Sequence, residues 1–367
     1  MREFDVARVE ALRKSQRGVV LMPTGSRGQN TIQRVAELSL SARDRMRGTL
    51  VETPLREVSA DLLQVGVEQA WVKMECCQVS GSFKARGATY YLSRLLEESS
   101  PSGVITYSSG NHGRALSEAA QRAGVAAAVV APNTIDEVKA EAVENAGAEL
   151  VRVGPTTDER KSRAEEIARE RGWTVVPPFD HEWIMAGQGT IVLEVIDQLG
   201  FVPDHLWVPV GGGGLSGGCA AVAKIHAPNC QIHVVEPEGS DALSRSFEEG
   251  RRARCESPAS EADGLLPQSV GELNWEVLQE AGVVSHRISE SQLLEALASL
   301  RGHLGVGSEP SGACAISPLL SQRTDPRASS REDLGEKDMA GTHVAIVSGG
   351  NVSGIRVQGL LGNRRGR

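Results

Sequence analysis

Three short stretches carry the side chains and backbone able to do chemistry. In Gly211-Gly212-Gly213-Gly214 every side chain is missing from one turn. Its backbone N–H groups can converge on an anion, and the positive end of a following helix would strengthen that grip. Phosphate is the natural guest. A plain tight turn is the alternative, although four consecutive glycines exceed what a turn needs. No GK[ST] follows, so this is not a Walker loop, and the spaced GxGxxG pattern is absent too. Ser108-Ser109-Gly110-Asn111-His112-Gly113 offers two hydroxyls, an amide and N–H groups at a helix start. That set suits a carboxylate, or else an N-cap with turn glycines. Ser80-Gly81-Ser82-Phe83-Lys84-Ala85-Arg86-Gly87 places a lysine in the first turn of a helix. Taken alone, Lys84 reads as a solvated cation. Desolvated beside a helix dipole, it would have the lowered pKa that a Schiff-base lysine requires.

Each stretch follows, or lies close to, a segment patterned as a strand, and open α/β sheets gather ligands at the carboxyl ends of their strands. The spacing predicts strands over 70–75, 103–107, 125–131, 149–153, 174–176, 206–210, 231–236 and 343–347. Helices are predicted over 32–47, 83–98, 112–122, 136–145, 157–171, 189–199 and 215–226. Such alternation implies βαβ units and a mostly parallel sheet covered on both faces. Residues 5–17 have a helical pattern and 23–28 read as a loop, so 1–30 are taken as an N-terminal extension. The polar run 322–338 reads as a surface insertion.

The 367 residues suffice for one large or two ordinary domains with a substantial core. Aromatics are only 4% while glycine numbers 40, which suits aliphatic strands and glycine-rich turns. A net charge of −8 gives no electrostatic reason to expect nucleic acid. The basic tail Arg364, Arg365 and Arg367 is short enough to be a frayed end. No apolar run approaches the roughly 20 residues of a membrane span. Charges stand where a signal peptide would have its apolar core, so a cytoplasmic protein is expected. The six cysteines include no CxxC pair and read as reduced thiols.

In order along the chain, SGSFKARGA, SSGNHGRAL, AGQGT, GGGGLSGG, EPSGA and SGGN resemble the pyridoxal-phosphate (PLP) dependent serine/threonine dehydratases. That group includes serine racemase and the hydroxyaspartate ammonia-lyases. The resemblance, from Arg34 to Gly354, implies the tryptophan-synthase-β-like fold: two open, twisted, mostly parallel sheets flanked by helices, with the cofactor in an interdomain cleft. A large domain of 31–102 plus 181–367 and a small mobile domain of 103–180 are expected, as is a homodimer. Lys84 would hold PLP as a Schiff base with Phe83 flanking the ring, and Asn111 would bond the ring hydroxyl. Gly211, Gly212, Gly213 and Gly214 would hold the phosphate. Ser348 would meet the pyridine nitrogen, and Glu309 would orient the cofactor face or else cap a helix. Ser108, Ser109, Gly110, Asn111 and His112 would embrace the substrate carboxylate, and Arg160 would meet a distal carboxylate or else be solvated. Lys84 is the candidate α-proton base, with Ser109 on the opposite ring face. The implied activity removes water and ammonia from a small β-hydroxy amino acid such as threonine, serine or 3-hydroxyaspartate, giving a 2-oxo acid. Racemisation and β-replacement are the alternatives within the group, and a non-catalytic phosphate-ligand binding protein is the alternative outside it.

The chain departs from the family pattern in places. The family's divalent cation (Mg or Ca) uses a Glu and a later Asp in EPxxxDD. Here Glu236 is present, but Ala242 stands at the second Asp position, so a cation would lose a ligand. Asp136 replaces a usual proline. His112 is a candidate to titrate near neutrality or to be structural, and Asp263 reads as structural. No regulatory domain follows SGGN, so feedback of the biosynthetic threonine-dehydratase type is not expected.

Overall fold

The structure, a computed structural model, describes residues 26–108, 110–154, 156–320 and 339–362. Two sheets form. The smaller has the order β5-β4-β3-β6, all parallel, from β3 (Val104–Tyr107), β4 (Ala127–Pro132), β5 (Glu149–Val153) and β6 (Thr174–Val175). Every residue of β4 is buried, as its unbroken apolar run requires of a central strand. The larger sheet has the order β1-β2-β10-β7-β8-β9. It uses β1 (Leu55–Glu57), β2 (Gln69–Lys73), β7 (His205–Pro209), β8 (Gln231–Pro237), β9 (Val284–Ile288) and β10 (Thr342–Ile346). Only β1 runs antiparallel.

The helices are α1 (Arg27–Met46), α2 (Lys84–Glu98), α3 (Asn111–Ala123), α4 (Glu137–Asn145), α5 (Thr157–Arg171) and α6 (Glu182–Leu199). They continue with α7 (Gly214–His226), α8 (Ala242–Glu249), α9 (Glu272–Ala281), α10 (Glu290–Gly302), α11 (Pro310–Ala313) and α12 (Gly354–Gly362). Helix α6 is buried on nearly all sides and packs between α1, α2 and α7. Its start differs from the predicted 189, because His181 caps it by accepting from the Trp183 N–H at 3.1 Å. Gly187 lets α6 touch α2: a Cβ there would lie 2.6 Å from the Gly87 Cα. Helix α1 likewise begins earlier than predicted. Ser26 accepts from the Gln29 N–H at 3.1 Å, so residues 27 and 28 are helical rather than part of the 23–28 loop. The patterned segment 5–17, the rest of the extension, the 322–338 run and the basic tail lie outside the described residues.

Beneath α2, two cations and two anions interlock. Arg86 donates to Glu75 at 2.7 and 2.8 Å and to Glu194 at 2.6 and 2.8 Å. Lys73 reaches Glu194 at 2.7 Å. All four are largely removed from water, and Arg86 has 2% of its side chain exposed. Such a network is costly to desolvate, so its worth lies in fixing one register of α2 against β2 and α6.

A ladder of imidazoles crosses the amino end of the large sheet. His286 meets His233 at 2.9 Å, His233 meets His205 at 2.9 Å, and His205 reaches the Ala340 carbonyl at 3.1 Å. A carbonyl only accepts, so His205 Nε2 donates to it and Nδ1 must accept from His233. Repeating the argument makes each ring a neutral Nε2–H tautomer. His343 Nε2 donates to the Met339 carbonyl at 2.9 Å while its Nδ1 accepts from the Trp207 indole at 3.0 Å. The rings stack across strand partners, with His343 on His205 at 4.4 Å and Trp207 on His233 at 4.0 Å between centroids.

Candidate active site

A cleft of about 690 Å³ opens where the carboxyl ends of the two sheets face each other. The turns after β3, β4, β7 and β10 supply Ser108, Thr134, Gly211 and Ser348 to its lining. The three stretches singled out in the sequence thus meet at one place.

Lys84 opens α2 on the cleft wall. Its Nζ donates to the Pro178 carbonyl at 2.7 Å and lies 5.1 Å from the Phe83 ring centroid. Burial alone pulls this amine down to about 8. The unprotonated form, which is the nucleophile, is therefore accessible near neutrality. The tetraglycine turn joins β7 to α7 and lines the same cleft. Gly213 has φ +90°, and a Cβ on Gly212 would collide with the Phe179 ring. The first-turn N–H groups of α7 have no acceptor within their own helix, which leaves them available to an anion.

Asn111 and Glu309 form a rigid pair. The Asn111 amide donates to Glu309 at 2.5 Å and its oxygen accepts from Asn351 at 2.9 Å. Glu309 also stands at the N-cap of α11, although its side chain makes no capping hydrogen bond there. Its second oxygen makes no hydrogen bond, and Lys139 Nζ lies 3.8 Å away. Burial lifts this carboxyl to about 7 against the opposing pull of Lys139. Ser348 lines the cleft with its hydroxyl 3.5 Å from the Ser311 carbonyl.

Ser108, Gly110, Asn111 and His112 line the cleft, whereas Ser109 lies outside the described residues. The Ser108 hydroxyl accepts from the Gly110 N–H at 3.1 Å. Of the two readings of His112, its surroundings favour the structural one. Burial first, and the Lys84 charge second, hold it down to about 3, so it is neutral. Arg160 is not a solvated helix residue either. It is buried on the cleft wall, and its guanidinium donates to Thr157 at 3.0 Å.

At Glu236, where the sequence already leaves a divalent cation short of a ligand, the carboxylate is fully engaged within the chain. Its oxygens accept from the Leu243 N–H at 2.9 Å, the Ser244 N–H at 2.8 Å and the Ser244 hydroxyl at 2.8 Å. Asp241 is engaged by Arg245 at 2.5 Å and Arg287 at 3.0 Å. Among the described residues no group of three or more His, Cys, Asp or Glu side chains is arranged to hold a metal ion. With Ala242 offering no oxygen from its side chain, these residues do not fit the divalent cation.

Sequence reasoning passed over Lys139 and set Asp263 aside as structural. Both line the cleft, 2.6 Å apart. The position of Lys139, just after the loop that follows β4, is the signal that was there to be read.

Residues 47–355 match the model of the family described as pyridoxal-phosphate dependent enzyme. The serine racemase of Schizosaccharomyces pombe is 32% identical over 85% of this chain and 92% of its own length. The L-threo-3-hydroxyaspartate ammonia-lyase of Saccharomyces cerevisiae is 31% identical over 89% of this chain and 95% of its own. Among solved structures, maize serine racemase superposes with a TM-score of 0.78 at 28% identity, covering 90% of this chain and 97% of that one. The chain belongs to the PLP-dependent enzymes, with the α/β fold of the tryptophan-synthase-β-like class. Within them it falls in the amino-acid dehydratase and racemase group, as a PLP-dependent lyase. The cleft fits that cofactor: a buried nucleophilic amine, an anion-binding turn and a serine hydroxyl share one cavity.

Proposed function

We propose that this enzyme removes water and ammonia from a small β-hydroxy amino acid of the threonine, serine or 3-hydroxyaspartate type, leaving a 2-oxo acid. The observation that carries this reading is the buried Lys84 amine, pulled down to about 8, in the same cleft as the tetraglycine turn and Ser348. When bound, PLP supplies an electron sink for the substrate's α-carbon. The residues of this chain do the rest. Gly211–Gly214 and the α7 N-terminus bind the phosphate, Phe83 flanks the ring, and Asn111 and Glu309 orient it. Ser348 would meet the pyridine nitrogen, where a hydroxyl could not keep that nitrogen protonated as a carboxylate would. That choice of a hydroxyl at 348 would favour loss of the substrate's β-hydroxyl. Lys84 Nζ takes the α-proton. Ser108, Ser109, Gly110, Asn111 and His112 hold the α-carboxylate, with His112 serving as a neutral group. The guanidinium of Arg160 supports an acidic side chain as one acceptable substrate.

Residues 103–180 act as the small domain that closes over the site and excludes water, and 31–102 with 181–367 as the large one. The family resemblance supports a homodimer. Purified protein supplied with PLP and offered a panel of β-hydroxy amino acids should release oxo acid and ammonia in equal amounts. D-enantiomer formed without ammonia would replace this reading with racemisation, which the S. pombe relative favours. Borohydride tagging of any lysine but Lys84 would remove its basis.

A further inference from the structure

Lys139 is a buried cation with no role in the reading above, and its surroundings are specific. It sits on α4, beside the small sheet, yet its Nζ reaches across the cleft to Asp263 at 2.6 Å. Asp263 also meets Arg356 at 3.3 Å. Both of these partners lie on the large-sheet side, as does Glu309, 3.8 Å from the same Nζ. Only 5% of the Lys139 side chain is exposed. Its stem passes over Gly110, where a Cβ would lie 2.5 Å from the lysine Cδ and 3.2 Å from Nζ. Gly110 has a φ of 165°, which is extended backbone. It is the lysine that takes up the room a side chain at 110 would need.

We infer that Lys139 is a positioning residue that couples closure of the cleft to the polar edge of the cofactor site. By pairing with Asp263 it ties α4 to the large-sheet side. By facing Glu309 it steadies the carboxylate that accepts from Asn111. Separating the two sides would break this sheltered ion pair and leave Asp263 to Arg356 alone, so the pair favours the closed arrangement. The groups facing Glu309 are Lys139, Asp263, Arg356 and Asn111. With Lys139 gone, the balance at Glu309 shifts toward its protonated form, and a protonated Glu309 offers Asn111 a poorer acceptor.

The inference deepens the PLP reading and rests on it for the cofactor edge, so two measurements separate them. The first is hydrogen–deuterium exchange on the purified protein, with and without PLP. Lys139→Met should speed exchange in 137–145 and 260–266. Asp263→Asn should do the same, with the double variant no faster than Lys139→Met alone. The second is pH titration of the cofactor absorption band. Lys139→Met should move its acid-side midpoint upward by about one pH unit or more. Lys139→Arg should return the midpoint to that of the parent, and adding Glu309→Gln to Lys139→Met should abolish the shift. Unchanged exchange in folded Lys139→Met and Asp263→Asn overturns the latch, whatever chemistry the enzyme performs. Altered exchange with an unmoved midpoint overturns its link to Glu309 and leaves the PLP reading intact.

Discussion

At the residue scale, the chemistry turns on one amine and on what holds it. Lys84→Ala should abolish turnover and the cofactor's visible absorption while leaving the fold intact, since Lys84 makes one hydrogen bond to a carbonyl. Arg86 is the opposite case. It anchors α2 to Glu75 and Glu194, and removing one partner from such a buried set costs about 3–5 kcal/mol. Arg86→Leu should lower the urea unfolding free energy by that order, and a change under about 1 kcal/mol would contradict the account. Lys84, the tetraglycine turn and the 108–113 stretch were legible as residues because their types are unusual in sequence. The state of His112 and Glu309 was not. Burial of His112 and the proximity of Lys139 to Glu309 arise only when distant segments meet.

At the element scale, the buried strand β4 announces itself by its unbroken apolar run, and α5 falls where its pattern predicts. The short β1 and the half-exposed β9 carry no such pattern, because edge strands pack on one side only. Helix α4 shows how a local signal serves the site. Asp136 caps α4 by accepting from the Val138 N–H at 3.0 Å. Asp136→Ala should cost about 1 kcal/mol. It should also loosen α4 in hydrogen exchange, and with it Lys139. Helix α8 carries a similar lesson, since the amides that open it occupy Glu236. EDTA, Mg²⁺ and Ca²⁺ should therefore leave the melting temperature unchanged. A rise with added cation would mean that Glu236 exchanges those amides for the ion.

At the scale of the whole molecule, the sheet order brings four strand ends to one cleft, and the two sheets leave room between them for a small ligand. Parallel strand–helix units were legible from βαβ alternation and the division into two sheets followed from the family resemblance, but the contact across the cleft was legible from neither. Among the described residues no helix is long and apolar enough to cross a membrane. At the far end of the large sheet, the imidazole ladder has a consequence for acid tolerance. Each shared N–H leaves its acceptor nitrogen without room for a second proton, so protonating an inner ring sets two hydrogens against each other. Burial accordingly pulls His286 and His343 down to about 4 and His233 to about 2, below the ordinary 6.5. Above pH 6.5 both the folded and the unfolded chain carry these rings uncharged. Between there and about pH 4 only the unfolded chain takes up the protons, so stability drains away as the medium acidifies. His286→Phe should flatten the fall in melting temperature between pH 6.5 and 5, and an equal slope in both proteins would refute it. An enzyme whose chemistry lies at one rim of its sheet thus carries at the other a built-in intolerance of sour surroundings.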